Sequence, residues 1–178
     1  TVPGSYDVTL SITTSFGTVT NTKSNFIYVG NAPVVTCQPN SVNVGNFWQT
    51  VSNVSLNTLN NNSDSYENGG YSDNRCVGST IVNSGQSYNL SLSLRAYDLD
   101  EVVEVYIDYN NDNTLSASEM IYSGFIASAT NGNTGVLTSS ITIPSNAVTD
   151  TPLLMRVIGE AVSISSEERS CTSYYYIG

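Results

Sequence analysis

Six oxygen-bearing side chains recur at a regular spacing in one stretch of the chain: Asp108, Asn110, Asp112, Thr114, Ser116 and Glu119. Counted from Asp108, they stand at loop positions 1, 3, 5, 7, 9 and 12. Alternate positions of a tight loop turn toward one centre, and a carboxylate three residues after Ser116 can close the ring. Hard divalent cations of the size of calcium take about 6–8 oxygen ligands in a flexible shell. The spacing therefore predicts a Ca²⁺ site with a structural role. Asp108, Asn110 and Asp112 supply side-chain oxygens, Thr114 a backbone carbonyl, Ser116 a ligand reached through water, and Glu119 a bidentate carboxylate. Leu115 is expected to plug into the core. The competing reading is an Asn/Asp-rich β-turn with no ion.

This order of ligands is that of the EF-hand calcium loop, with two departures. Position 6 is Asn113 where that loop has Gly. Asn tolerates the left-handed backbone required there. The lead-in, Val102 to Tyr109, reads as a strand and not as a helix, so the loop is expected in a β frame.

Other groups carry less. Asp98, Asp100, Glu101 and Glu104 cluster just before that strand. The expectation is a solvated turn, with a second ion or a carbohydrate-contacting rim as the alternative. Paired carboxylates could also serve glycoside hydrolysis, but nothing else in the chain assembles such a site. The sequence contains no His, which removes the commonest general base and zinc ligand and any Ser–His–Asp or Cys–His arrangement. Arg156 sits inside an apolar strand and needs an acidic partner if buried; Glu160, Glu104 and a loop carboxylate are the candidates. Trp48, Tyr66, Tyr71, Tyr97 and Tyr175 are candidate platforms for stacking on sugar rings, which would make a polysaccharide the partner. The alternative is that Trp48 and alternate tyrosines are core residues of a sandwich.

Composition bounds the rest. The chain has 178 residues and a net charge of −10, from 15 acidic and 5 basic side chains. The basic residues, Lys23, Arg75, Arg95, Arg156 and Arg169, are scattered. Nucleic acid and anionic lipid both need a positive footprint, so neither is an expected partner. No apolar run reaches membrane-spanning length, so no membrane insertion is expected. Cys37, Cys76 and Cys171 form no Cys-x-x-Cys pair. One disulfide with one odd thiol is the simplest account in an oxidising compartment. A Cys37–Cys171 bridge is favoured because sandwich termini are often neighbours; Cys37–Cys76 and Cys76–Cys171 stay open.

The elements that must position the loop read as strands. Tyr6, Val8, Leu10 and Ile12 alternate with polar residues, the period of a half-buried strand. Ser15-Phe16-Gly17 is a turn, and a second strand runs from Thr18 to Val29. Two strands alone are marginal in water. Residues 31–36 read as a linker. Further strands are expected over Phe47 to Leu56, Tyr88 to Leu94, Val102 to Ile107, Gly135 to Ile143, Leu153 to Ile158 and Tyr174 to Ile177, with Asn57 to Gly70 as a loop. No window shows helical periodicity. The predicted fold is all-β: an antiparallel, jelly-roll-like β-sandwich over 37–178, preceded by an immunoglobulin-like hairpin or partial sandwich over 1–30. The chain opens at Thr1-Val2-Pro3-Gly4 inside a foldable pattern, so it is expected to continue a longer polypeptide with flanking domains.

Two resemblances follow from these residues. Pro3-Gly4-x-Tyr6-x-Val8-x-Leu10 and the strands through Val29 resemble the closing part of a PKD domain, an immunoglobulin-like sandwich. Residues 37–178 resemble the GEVED domain of secreted Bacteroidetes proteins. The matching pieces are Val51 to Leu56, Gly70-Tyr71-Ser72-Asp73, Tyr106 to Asp112, Leu154-Met155-Arg156-Val157 and Cys171 to Gly178. In that family a Gly-Glu-Val-Glu-Asp-Tyr strand follows, and this chain stops where it would start. The resemblance implies a secreted or cell-surface protein and a non-enzymatic accessory module. Such a module sits beside a polysaccharide-degrading enzyme or a peptidase, or forms a structural or adhesive segment.

Overall fold

A computed structural model describes residues 4–30, 50–62, 72–75, 78–95, 100–126 and 134–161. The chain divides into two compact units, Thr1–Ala32 and Pro33–Gly178. The first is an antiparallel hairpin of β1 (Gly4–Thr14) and β2 (Gly17–Val29). Register pairs Ile12 with Val19 and Tyr6 with Ile27 on one face. The other face is a threonine ladder, with Thr9 and Thr22 hydroxyls 2.8 Å apart and those of Thr13 and Thr18 3.0 Å apart. The alternation predicts half-buried strands, but Leu10 is 61% exposed and Ile12 56%. Two strands can pair their backbones, yet they supply no second layer to cover a face.

The second unit is built from seven strands among the described residues: β3 (Thr50–Leu56), β4 (Leu59–Asn62), β5 (Ser87–Arg95), β6 (Glu101–Ile107), β7 (Met120–Ile126), β8 (Thr134–Thr142) and β9 (Met155–Ala161). They form two antiparallel sheets, ordered β4-β3-β5-β8 and β7-β6-β9. The period-2 pattern of β5 explains their stacking. Leu90, Leu92 and Leu94 are buried, while the alternating Asn89, Ser91 and Ser93 face outward. The three leucines pack with Val51 and Leu56 of β3 against Val103, Val105 and Val157 of the facing sheet. Two sheets joined by one apolar layer are a β-sandwich. Each buried Leu or Val side chain contributes roughly 1.5–3 kcal/mol of transfer free energy.

Two expectations need correction. The polar stretch after Leu56 is not all loop. Asn57, at φ 52°, turns the chain so that Leu59–Asn62 pairs with β3 as strand β4. An edge strand facing water tolerates a run of Asn, because backbone pairing and not side-chain burial holds it. The acidic group before β6 is not a solvated turn either. Asp100 is exposed, but Glu101 and Glu104 lie within β6 and are buried. Strand β7 carries no clear sequence alternation, and its residues are mostly half-buried or exposed.

Among the described residues no helix is long and apolar enough to cross a membrane. Trp48, Tyr66, Tyr71, Tyr97, Tyr175, Cys37, Cys76 and Cys171 lie outside the described residues, as does the expected strand Tyr174 to Ile177.

Candidate metal centre

The predicted loop begins where β6 leaves its sheet. Asp108 is the next residue, and its backbone N–H donates to Leu154 O at 3.0 Å. Val148 N–H donates to Tyr109 O at 2.9 Å. The segment before β9 thus clamps the loop's first two residues. At the far end, a single 3₁₀ turn, Ala117–Glu119, leads directly into β7. The loop joins two neighbouring strands of one sheet, so its ends are fixed by the β6–β7 register.

Within the loop, backbone N–H groups organise the acidic side chains. Asp108 accepts from Asp112 N at Oδ1 and from Asn113 N at Oδ2, both at 3.1 Å. Asn110 Oδ1 accepts from Asp112 N at 2.9 Å, and Asp112 Oδ1 from Thr114 N at 2.8 Å. Glu119 Oε2 accepts from Ser116 N at 2.9 Å and from Ser116 Oγ at 3.0 Å. The Asn110 and Asp112 bonds are Asx turns, in which a side chain accepts from the backbone two residues on, and the Glu119–Ser116 pair is a capping box at the start of the 3₁₀ turn. Asn111 and Asn113 take φ of 55° and 66°, a region that Asn enters more readily than most residues.

The result is convergence. Carboxylate oxygens of Asp108, Asp112 and Glu119 all lie within 4.8 Å of one another. Asp108 and Glu119 are 1% and 3% exposed, whereas Asp112 faces solvent. Glu119 Oε1 is buried and has no hydrogen-bond partner among the described residues. Burial pushes the Asp108 carboxyl above its ordinary value; the N–H groups of Asn113 and Asp112 oppose this, and the Glu119 and Asp112 carboxylates add to it. Three converging carboxylates, one with a buried oxygen that lacks a hydrogen-bond partner among the described residues, fit a divalent cation, which would take that oxygen as a ligand and offset the mutual repulsion. Thus Asp108, Asp112 and Glu119 are brought together. Asn110 hydrogen-bonds beside them through Nδ2 to Asp112 Oδ2 at 2.8 Å. Ser116 is tied to Glu119, and Thr114 joins through its backbone.

Leu115 does plug the loop into the fold. It is 1% exposed and packs with Tyr106 and Ile158. The spacing did not point to Tyr109. Its ring packs with Ile107, Ile143 and Ala147. Its hydroxyl is buried without a partner among the described residues. Burial, then the Glu119 carboxylate, pushes that hydroxyl up to about 12. Its position 2 in the loop, next to Asp108, was the available signal. Arg156 is buried in β9 at the register position of Tyr106, whose hydroxyl donates to Glu104 Oε2 at 2.8 Å.

Residues 102–178 match the model of the GEVED domain family. The match takes in β6 from its second residue on, the acidic loop, β7, β8 and β9. It begins at Val102, so it covers only the second part of the region that resembles that family by its residues. Neither the curated proteins nor the solved structures contain a match to the chain.

Proposed function

We propose that the chain is a non-catalytic accessory module of a secreted or cell-surface bacterial protein, held together by a structural calcium ion. In this reading it binds carbohydrate on behalf of an attached hydrolase. The observation that carries the calcium reading is the convergence of Asp108, Asp112 and Glu119 around the unpartnered, buried Glu119 Oε1. The ion joins the β6 exit to the β7 entry, so it acts on fold and not on chemistry. The GEVED match supports an accessory module. The lack of His in the whole sequence supports a non-catalytic role. The residue pattern of 1–30 supports a PKD-like neighbour of the kind strung along Bacteroidetes surface proteins.

The test is calorimetric titration with Ca²⁺ after chelation, read together with thermal melting. Binding heat and a raised Tm are expected. No heat and an unchanged Tm would sink the calcium reading.

A further inference from the structure

The outward face of the β4-β3-β5-β8 sheet has an unusual make-up. One rank across all four strands reads Asn60, Ser55, Ser91, Thr138 by register. The next pair is Asn89 and Ser140. From Asn62 at one end to Thr142 at the other, the outward positions are Ser, Thr or Asn, with Val136 the single exception. None of these is charged; the next alternate position of β5, its last residue, is Arg95, in register with Thr50 and Thr134. Solvated sheet faces ordinarily carry Lys, Glu and Asp, which also guard against sheet-to-sheet association. This chain has acids to spare. Its exposed Asp73, Asp100, Asp112 and Asp150 all stand outside these four strands.

The face is also partly ordered. Asn53 Nδ2 donates to Asn60 Oδ1 at 2.8 Å and to Asn62 Oδ1 at 2.9 Å. This turns both acceptors toward Asn53 along the face and leaves the Nδ2 groups of Asn60 and Asn62 without a partner among the described residues. Between β5 and β8 lies a shallow depression lined by Asn89, Leu90, Ser91, Thr138, Ser139 and Ser140.

We infer that this face binds an uncharged polysaccharide, one extended chain lying across the strands. The inference rests on the carbohydrate reading above and names its surface. Hydroxyl and amide groups offer donors and acceptors together, which is what a neutral sugar chain presents in return. A protein partner would want an apolar interface core, which this face lacks. A nucleic acid would want cations. Acidic glycans would meet the repulsion of a chain of net charge −10. The four-strand rank spans about 14 Å at the usual strand spacing, room for a short run of sugar rings.

Affinity electrophoresis of the full chain in calcium tests this. The gels would contain a mixed-linkage β-glucan, pullulan, galactomannan or, as acidic control, alginate. Retardation by at least one neutral gel and not by alginate is expected. Thr138→Lys and Ser140→Lys, both at exposed positions, should weaken that binding at least tenfold. Ser123→Lys, on the other sheet, should not. Circular dichroism and the calcium-dependent Tm confirm that each variant folds. If the wild type binds a neutral glycan and both face variants bind equally well, this surface is wrong and the carbohydrate reading stands. If the wild type binds no glycan, or alginate alone, the carbohydrate reading fails and this inference with it.

Discussion

Asp108 and Glu119 sit at opposite ends of a twelve-residue loop, yet both are buried and their carboxylate oxygens lie within 4.8 Å. Two buried acids at that distance repel each other unless a proton or a cation intervenes. A cation that binds the folded state alone stabilises it in proportion to the logarithm of its concentration over Kd. At a hundredfold excess this amounts to about 2.7 kcal/mol. For a unit of this size that corresponds to a rise in Tm of about 5–10 °C. Glu119→Gln and Asp108→Asn should each abolish most of the calcium-dependent rise. Differential scanning calorimetry with calcium and with a chelator checks this.

Asn113 stands at φ 66°, where its neighbours in the loop need a left-handed turn. Asn113→Gly should keep the calcium response and change stability by less than about 1 kcal/mol, since relief of strain offsets added chain entropy. Asn113→Val, a β-branched residue at positive φ, should cost about 1–3 kcal/mol. Urea midpoints with and without calcium distinguish the two.

Glu101 is 1% exposed, its Oε1 has no partner among the described residues, and burial pushes its carboxyl up to about 8. The folded state therefore holds a proton that the unfolded chain releases near pH 4.5. Its contribution is fully present below about pH 4.5, declines as pH rises, and is gone above about pH 8. Glu101→Gln keeps the shape and removes the titration. The stability difference between variant and wild type should widen from pH 5 to pH 8 by a few kcal/mol at most. Parallel curves across denaturation series at pH 5, 6.5 and 8 would refute this.

Tyr106 is 2% exposed and donates to Glu104 Oε2 on the same strand. Tyr106→Phe keeps the ring packed on Leu115 and Ile158 but deprives a buried carboxyl of a donor. A loss of about 1–3 kcal/mol is expected, read as a lower urea midpoint with unchanged calcium affinity.

Much of this protein is local enough to be read from its residues alone. Period-2 alternation marks β5 and β8, because one face must be apolar to meet the other sheet. The order of oxygen-bearing side chains from Asp108 to Glu119 is equally local, since a loop's own spacing sets which side chains can converge. The strand β4 was not legible: Leu59–Asn62 has loop composition, and only pairing with β3 makes it a strand. Nor was the burial of Glu101 and Glu104, because acids at the start of a strand look solvated until a second sheet and neighbouring strands close over them. The orphaned oxygen of Glu119 and the uncharged four-strand face likewise exist only in three dimensions. The first depends on which groups fill the space around the loop. The second depends on register, which aligns Asn60, Ser55, Ser91 and Thr138 from four separate stretches of chain.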